Sequence, residues 1–218
     1  INRRVKDYGT KLGDFLGDRL SGTRADTIVP DGTKCHSQDE SSSYHDVNVT
    51  LGQSTASNET ETTLLNVNVN DAWDETATTL EETDAITDDA RVVSDADESV
   101  VNAFVGGDRV HQLDLLHLCR TTSYTLWDDD AFPLGERKAI VTELTGDVFH
   151  LKNSVEKHRP KGERSAIRTR IDRTLERMKR LAWQMEMLSS PKTAAYLRKW
   201  SSSAVTFAEF AIDGVAVP

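Results

Sequence analysis

The sequence predicts an α/β fold with a mixed sheet, antiparallel at its start and parallel at its finish, followed by a long helical stretch. Three observations lead there. Apolar and polar residues alternate with period two in three segments before residue 70. Helical and strand signals then alternate between residues 71 and 113. After Asp114 the apolar residues recur at three- and four-residue steps. The order β-β-β-α-β-α-β followed by helices is not a Rossmann repeat.

Residues 1–20 read as a short amphipathic helix, with Val5, Tyr8, Leu12, Phe15, Leu16 and Leu20 at helical steps and Ser21-Gly22-Thr23 ending it. The first strand is expected over Ala25–Val29, running into Asp31-Gly32, the second over Tyr44–Leu51 and the third over Thr62–Asn70. Turn-rich links such as Gly52–Asn58 make these three an antiparallel meander. A helix is expected over Asp71–Ile86, capped by Asp71, with Trp73, Ala77, Leu80 and Ile86 on one side. A short strand over Ala90–Ser94 ends at Asp95. A helix over Glu98–Val105 turns Val100, Val101 and Phe104 inward, and Gly106-Gly107 stops it before a fifth strand, Val110–Leu113.

Helices are then expected over Leu115–Trp127, Glu136–His158, Arg164–Ser189 and Thr193–Trp200, with a last segment over Ala204–Ile212. In the second of these, Ile140, Leu144, Val148, Leu151 and Val155 mark one face. In the third the face is Ile167, Ile171, Leu175, Met178, Ala182 and Met185. Arg159-Pro160-Lys161-Gly162 is the break between them. Trp183 and Trp200 are expected to pack inside the helical region.

The 218 residues carry a net charge of −10, and 37% of them are hydrophobic. A net anion repels phosphate, which by itself argues against nucleic acid. The charge is uneven, however. From Asp71 to Val100 eleven Asp and Glu face one Arg, and from Lys152 to Arg180 eleven Lys and Arg face four Asp and Glu, giving −10 and +7. High Asp, Glu and Thr with little Lys also fits a high-salt cytosol. No signal peptide and no apolar run of about 18 residues is present, so the expectation is a cytoplasmic chain with no membrane partner. Cys35 and Cys119 lack partners at zinc spacing and read as free thiols. The sequons at Asn48 and Asn58 read as chance in a chain without an export signal. Beginning at Ile1 and ending at Pro218, the chain reads as an internal piece of a longer protein.

Two carboxylates fall where strands end or cross the sheet: Asp31 in Val29-Pro30-Asp31-Gly32 and Asp95 in Val93-Ser94-Asp95-Ala96-Asp97. On neighbouring strands roughly 5 Å apart, they could share divalent cations, and hard oxygen ligands favour Mg²⁺ or Mn²⁺. Asp-Gly is also a common turn signal, so spacing alone leaves a solvated turn open.

Asp31-Gly32-Thr33-Lys34, Val92-Val93-Ser94-Asp95 and Leu113-Asp114-Leu115-Leu116-His117 resemble, in that order, blocks of mutator-like DDE transposases, closest to those of haloarchaeal insertion sequences. The resemblance covers about residues 25–218 and is loose in the later helices. It implies an RNase H-like catalytic domain in which Asp31 and Asp95 bind Mg²⁺ or Mn²⁺ and act on DNA. Asp114 and His117 match a supporting Asp-x-x-His element. Ala96 stands where the family has Gly, which leaves Asp97 as a competing second carboxylate. Pro30 is a further departure, since proline inside a central strand calls for a bulge or marks a decayed copy.

The implied organisation is a helical lead-in over 1–24, a core over 25–117, an all-helical insertion over 118–205 and a stub over 206–218 leading to the family's catalytic Glu helix. The chain ends before that Glu, and Glu209 falls too early to replace it, so the chain alone is expected to be inactive. Arg164, Arg168, Arg170, Arg173, Arg177, Lys179 and Arg180 line one helix. They are either a salt-bridged solvent face or a surface for the backbone of transposon-end and target DNA. A homodimer belongs to the same expectation. The alternative is a non-enzymatic relic or domesticated protein that binds DNA or a partner transposase.

Overall fold

The computed structural model describes residues 24–36, 44–54, 61–69 and 72–213. The helix expected over residues 1–20, the cap at Asp71 and the end of the stub beyond residue 213 lie outside the described residues. The chain divides into two compact units, Ile1–His111 and Gln112–Pro218.

The first unit is α/β. Its strands are β1 (Ala25–His36), β2 (Tyr44–Ser54), β3 (Glu61–Val69), β4 (Ile86–Ser94) and β5 (Val110–Leu113), with α1 (Trp73–Glu82) and α2 (Glu98–Phe104) between them. The boundary between the units falls inside β5. The sheet order is β3-β2-β1-β4-β5. β1 pairs antiparallel with β2 and β2 with β3, while β1 pairs parallel with β4. The sheet is therefore mixed, as the change from period-two meander to alternating elements requires.

One face of the sheet carries the core. Ile28 and Val92 are partners across β1 and β4, and both have 0% exposure. They cluster with Leu65, Ile86, Trp73, Ala77 and Leu80, and with Val100 and Phe104 of α2. Trp73 meets Phe104 edge to face, with centroids 5.9 Å apart. Val101, expected inward, is only half-buried.

Three expectations at element ends are corrected. First, α1 stops at Glu82, because Asp84 takes φ 53 and Ala85 N–H closes onto the Leu80 carbonyl. Ile86 accordingly begins β4 and does not end the helix. Secondly, β4 is longer than Ala90–Ser94. Its first half contains Thr87, Asp88 and Asp89, whose polarity hid it, and the β1–β4 register shifts there between Ala25 and Thr27. Thirdly, Asp31-Gly32 is not a turn, since β1 stays paired with β2 from Thr27 through His36.

The second unit is all helical: α3 (Leu115–Asp129), α4 (Leu134–His158), a 3₁₀ turn (Arg159–Lys161), α5 (Arg164–Met187), α6 (Pro191–Trp200) and α7 (Thr206–Asp213). The expected end of the core at His117 lies within α3. Helices α3 to α6 pack in a ring, each on the next and α6 back on α3, while α7 packs on α4 and α5. The apolar stripes make these contacts. Leu144, Val148, Leu151 and Val155 of α4 are buried, as are Ile167, Ile171, Met178, Ala182 and Met185 of α5. Gly162, at φ 69, provides the break between α4 and α5. Trp200 is buried as expected, but Trp183 is 58% exposed because it lies off the stripe. Among the described residues, no helix is long and apolar enough to cross a membrane.

The ring is fastened by one carboxylate. Asp129, the last residue of α3, accepts hydrogen bonds from Ser190 Oγ at 2.6 Å, Thr193 Oγ1 at 3.0 Å, and the backbone N–H groups of Lys192 and Thr193. It thereby caps α6 from another helix. Burial works to raise its pKa, but the hydrogen bonds from Ser190, Thr193 and Lys192 outweigh this and hold it below the ordinary carboxylate value.

The tightest point of the sheet is Gly52, paired with Ile28 on one side and Thr63 on the other. A Cβ there would lie 2.6 Å from Leu65 Cδ1 and 2.9 Å from Ala25 Cβ. Gly52→Ala is expected to destabilise the first unit by about 1–3 kcal/mol through overpacking. Urea unfolding measures this, and an unchanged midpoint would contradict the packing described.

Candidate functional site

The candidate carboxylates sit at one end of the β1–β4 pair. Thr27 is level with Arg91 and Ile28 with Val92. Asp31 follows Ile28 by three residues, and Asp95, the first residue past β4, follows Val92 by three. Within β1 that odd spacing puts Asp31 on the face opposite Ile28. Asp31 is exposed and Asp95 half-buried. The hydrogen-bonded β1–β4 pairing ends at Ile28–Val92, two residues short of Pro30, which has no N–H to extend it. The β1–β4 register shifts between Ala25 and Thr27 and not at Pro30.

Asp95 and Asp97 have different duties. Asp97 is the N-cap of α2, accepting from Ser99 N–H at 2.8 Å and Ser99 Oγ at 2.6 Å. Its own N–H donates to Asp95 Oδ1 at 3.1 Å. The cap engages Asp97 in the fold of α2 and makes Asp95 the better candidate ligand.

A buried pair beneath this turn was not legible in the sequence. Ser94 is 3% exposed and His111, on β5, is 8% exposed. Ser94 Oγ lies 3.1 Å from His111 Nε2 and donates to the Asp95 carbonyl at 3.0 Å. Burial pushes the His111 pKa from 6.5 down to about 4, against the raising effect of a hydrogen bond to the Ser94 backbone. The available signal was a histidine in a short apolar strand, which a satisfied core histidine would give equally well.

In the second unit, Asp114 is the N-cap of α3. Its Oδ1 accepts from Leu116 N–H at 2.7 Å and His117 N–H at 3.1 Å, and its Oδ2 is 3.5 Å from His117 Nδ1. The Asp114 carboxylate thus has a local use as the cap of a helix start, while the buried His117 Nδ1 makes no hydrogen bond among the described residues. Glu209 lies in α7, where burial and nearby Asp213 raise its pKa. Cys119 is a free, buried thiol whose pKa burial raises. The Cys35 side chain lies outside the described residues.

The chemistry of Asp31 and Asp95 suits a hard divalent cation, as part of a ligand set. Among the described residues, no group of three or more His, Cys, Asp or Glu is arranged to hold a metal ion.

On α5, Arg164, Arg168, Arg173, Arg177, Lys179 and Arg180 are exposed and Arg170 is half-buried. Arg177 is paired with Asp147 of α4, whose side chain is 13% exposed. Among the described residues, the other basic side chains of this set form no ion pair. Comparison with protein-family models, with curated proteins and with solved structures gave no match.

Between pH 6.5 and about 4 the unfolded chain takes up a proton at His111 that the folded chain refuses. The stability due to neutral His111 is complete above 6.5 and is lost as pH falls towards about 4. His111→Gln is expected to remove this acid-dependent loss, on the order of 2 kcal/mol after allowance for solvent screening. Urea midpoints across that range measure it, and parallel pH profiles for the two proteins would contradict it.

Proposed function

We propose that this chain is the RNase H-like core and helical insertion of a mutator-like DDE transposase, acting on DNA in the cytoplasm. The observation that carries the reading is the β1–β4 register, in which Asp31 and Asp95 each follow the last paired residues, Ile28 and Val92, by three. The β3-β2-β1-β4-β5 order, antiparallel over three strands and parallel at β1–β4, supports it. So does the run of helices after β5.

In this reading Asp31 and Asp95 would hold Mg²⁺ or Mn²⁺. When bound, such an ion acidifies an attacking water or 3′-hydroxyl and offsets charge on the leaving oxygen of a phosphodiester. The chain's own contribution would be to bring two carboxylates together beyond the end of the β1–β4 pairing, with Asp95 accepting from the N–H of Asp97. Asp114 and His117 would keep the start of α3 in place as support. Two carboxylates are an incomplete set, so the parent protein's DNA cleavage and strand transfer are not expected of this chain. A homodimer on paired transposon ends belongs to the same proposal.

A second reading is favoured by the exposed cations of α5: a non-enzymatic protein that binds DNA through that helix. Phosphate contacts by arginine release counterions, so affinity falls with salt by a slope of about 0.9 per contact. Arg168→Glu with Arg173→Glu is expected to weaken binding to duplex DNA and reduce that slope by about 2. Fluorescence anisotropy across a salt series measures both. Arg177 is left intact because it serves the fold through Asp147. Cleavage of terminal-repeat DNA with Mg²⁺ or Mn²⁺ separates the readings: no turnover is expected from this chain, and turnover lost in Asp31→Asn would reinstate it as a complete enzyme. Affinity unchanged by both charge reversals would remove the DNA-binding role of α5.

A further inference from the structure

We infer that His111, acting through Ser94, is a positioning residue for Asp95. The inference rests on the reading of Asp95 as a cation ligand and adds to it a residue that the family resemblance does not supply.

One direction of the hydrogen bonds links all three residues. The Ser94 hydroxyl has a single proton, which in this arrangement goes to the Asp95 carbonyl. The 3.1 Å contact between Ser94 Oγ and His111 Nε2 is then made by an Nε2–H donating to the hydroxyl oxygen. The inference therefore requires neutral His111 to be the Nε2–H tautomer. The chain continues on the far side of Asp95: Asp97 N–H donates to Asp95 Oδ1, and Asp97 Oδ1 accepts from Ser99 at the start of α2. Asp95 is held at its carbonyl from β5 and at its carboxylate from α2.

Ser94 and His111 are buried while Asp95 is partly open. The polar anchor is thus shielded from water, and the group it aims is accessible. Ordinary core packing does not require this arrangement, because a buried histidine and serine each cost desolvation that an aliphatic pair would avoid. The pair also lies where the β1–β4 ladder has stopped, so the backbone of Asp95 has no strand partner to fix it. Side-chain hydrogen bonds take over that task. Groups that orient a metal ligand without touching the metal typically change affinity tenfold or more when removed.

The test uses the full chain and Mn²⁺ alone as probe. Long-range ¹H–¹⁵N spectra of the imidazole report the tautomer, backbone amide shifts of Asp95, Ala96 and Asp97 report the turn, and electron paramagnetic resonance titration reports Mn²⁺ affinity. We expect the Nε2–H tautomer in the wild type. Ser94→Ala and His111→Phe are expected to displace the three amide resonances and weaken Mn²⁺ binding about tenfold. Ser94→Thr and His111→Gln, which keep a hydroxyl and an N–H donor, are expected to restore affinity to within about threefold, which a merely space-filling role would not do. An Nδ1–H tautomer overturns the inference. So does Mn²⁺ binding by folded Ser94→Ala that equals wild type. A wild type that takes up no Mn²⁺ overturns instead the cation reading on which the inference stands.

Discussion

The parallel pairing of β1 with β4 is the constraint on which the first unit depends. β1 lies in the middle of the sheet, antiparallel to β2 on one side and parallel to β4 on the other. A parallel partner cannot be reached by a tight turn, so the chain must cross over through α1 before β4 begins. That crossover covers Ile28 and Val92, and burying each of them contributes about 1.5–3 kcal/mol. A slip of one residue would move every side chain of one strand to the opposite face. It would expose an aliphatic residue. Core packing and the register of β1 on β4 are therefore one constraint.

The second unit solves a different problem. Its helices are amphipathic, and their stripes bury each other, but a stripe does not fix how far one helix slides along the next. Asp129 supplies that fixed point by joining the end of α3 to the start of α6 through both carboxylate oxygens. Asp114 does a smaller version of the same work within α3. Both residues are acidic, and both serve orphan N–H groups at helix starts, where a negative charge is also favoured by the helix dipole. Part of the chain's large acidic content is thus structural.

Much of this was legible from periodicity. The three meander strands, β5 and the cores of the long helices follow from steps of two or of three and four. Element ends were less legible, because a polar stretch such as Thr87-Asp88-Asp89 reads as a loop until a partner strand is known. Ile86 matched a helical step by accident, and only the left-handed backbone at Asp84 shows that the helix had ended. At the candidate site, Asp31 and Asp95 were legible as carboxylates in or just past strands, whereas the cap that engages Asp97 with Ser99 was visible only in the structure. His111 was out of reach of sequence reasoning, since its importance lies in a contact across two strands. Trp183 shows the same limit on a helix: it stands next to the buried stripe in sequence yet projects away from it.

The basic face of α5 is the feature that folding accounts for least. Arg168 and Asp172 stand four residues apart on one helix yet form no ion pair among the described residues. An exposed pair contributes only about 0–1 kcal/mol, so the fold gains little from making one. Clustering unpaired arginines carries a repulsive cost that an otherwise anionic chain could avoid by placing them beside its many carboxylates. In concentrated salt the range of such charges shrinks to about 3 Å, and attraction at a distance is lost. What survives there is direct, hydrogen-bonded contact between a guanidinium and an oxyanion, for which arginine is better shaped than lysine. Six of the seven cations that α5 presents between Arg164 and Arg180, Arg177 included, are arginines. That choice suits phosphate recognition through geometry, and it would persist under the ionic conditions that the composition suggests.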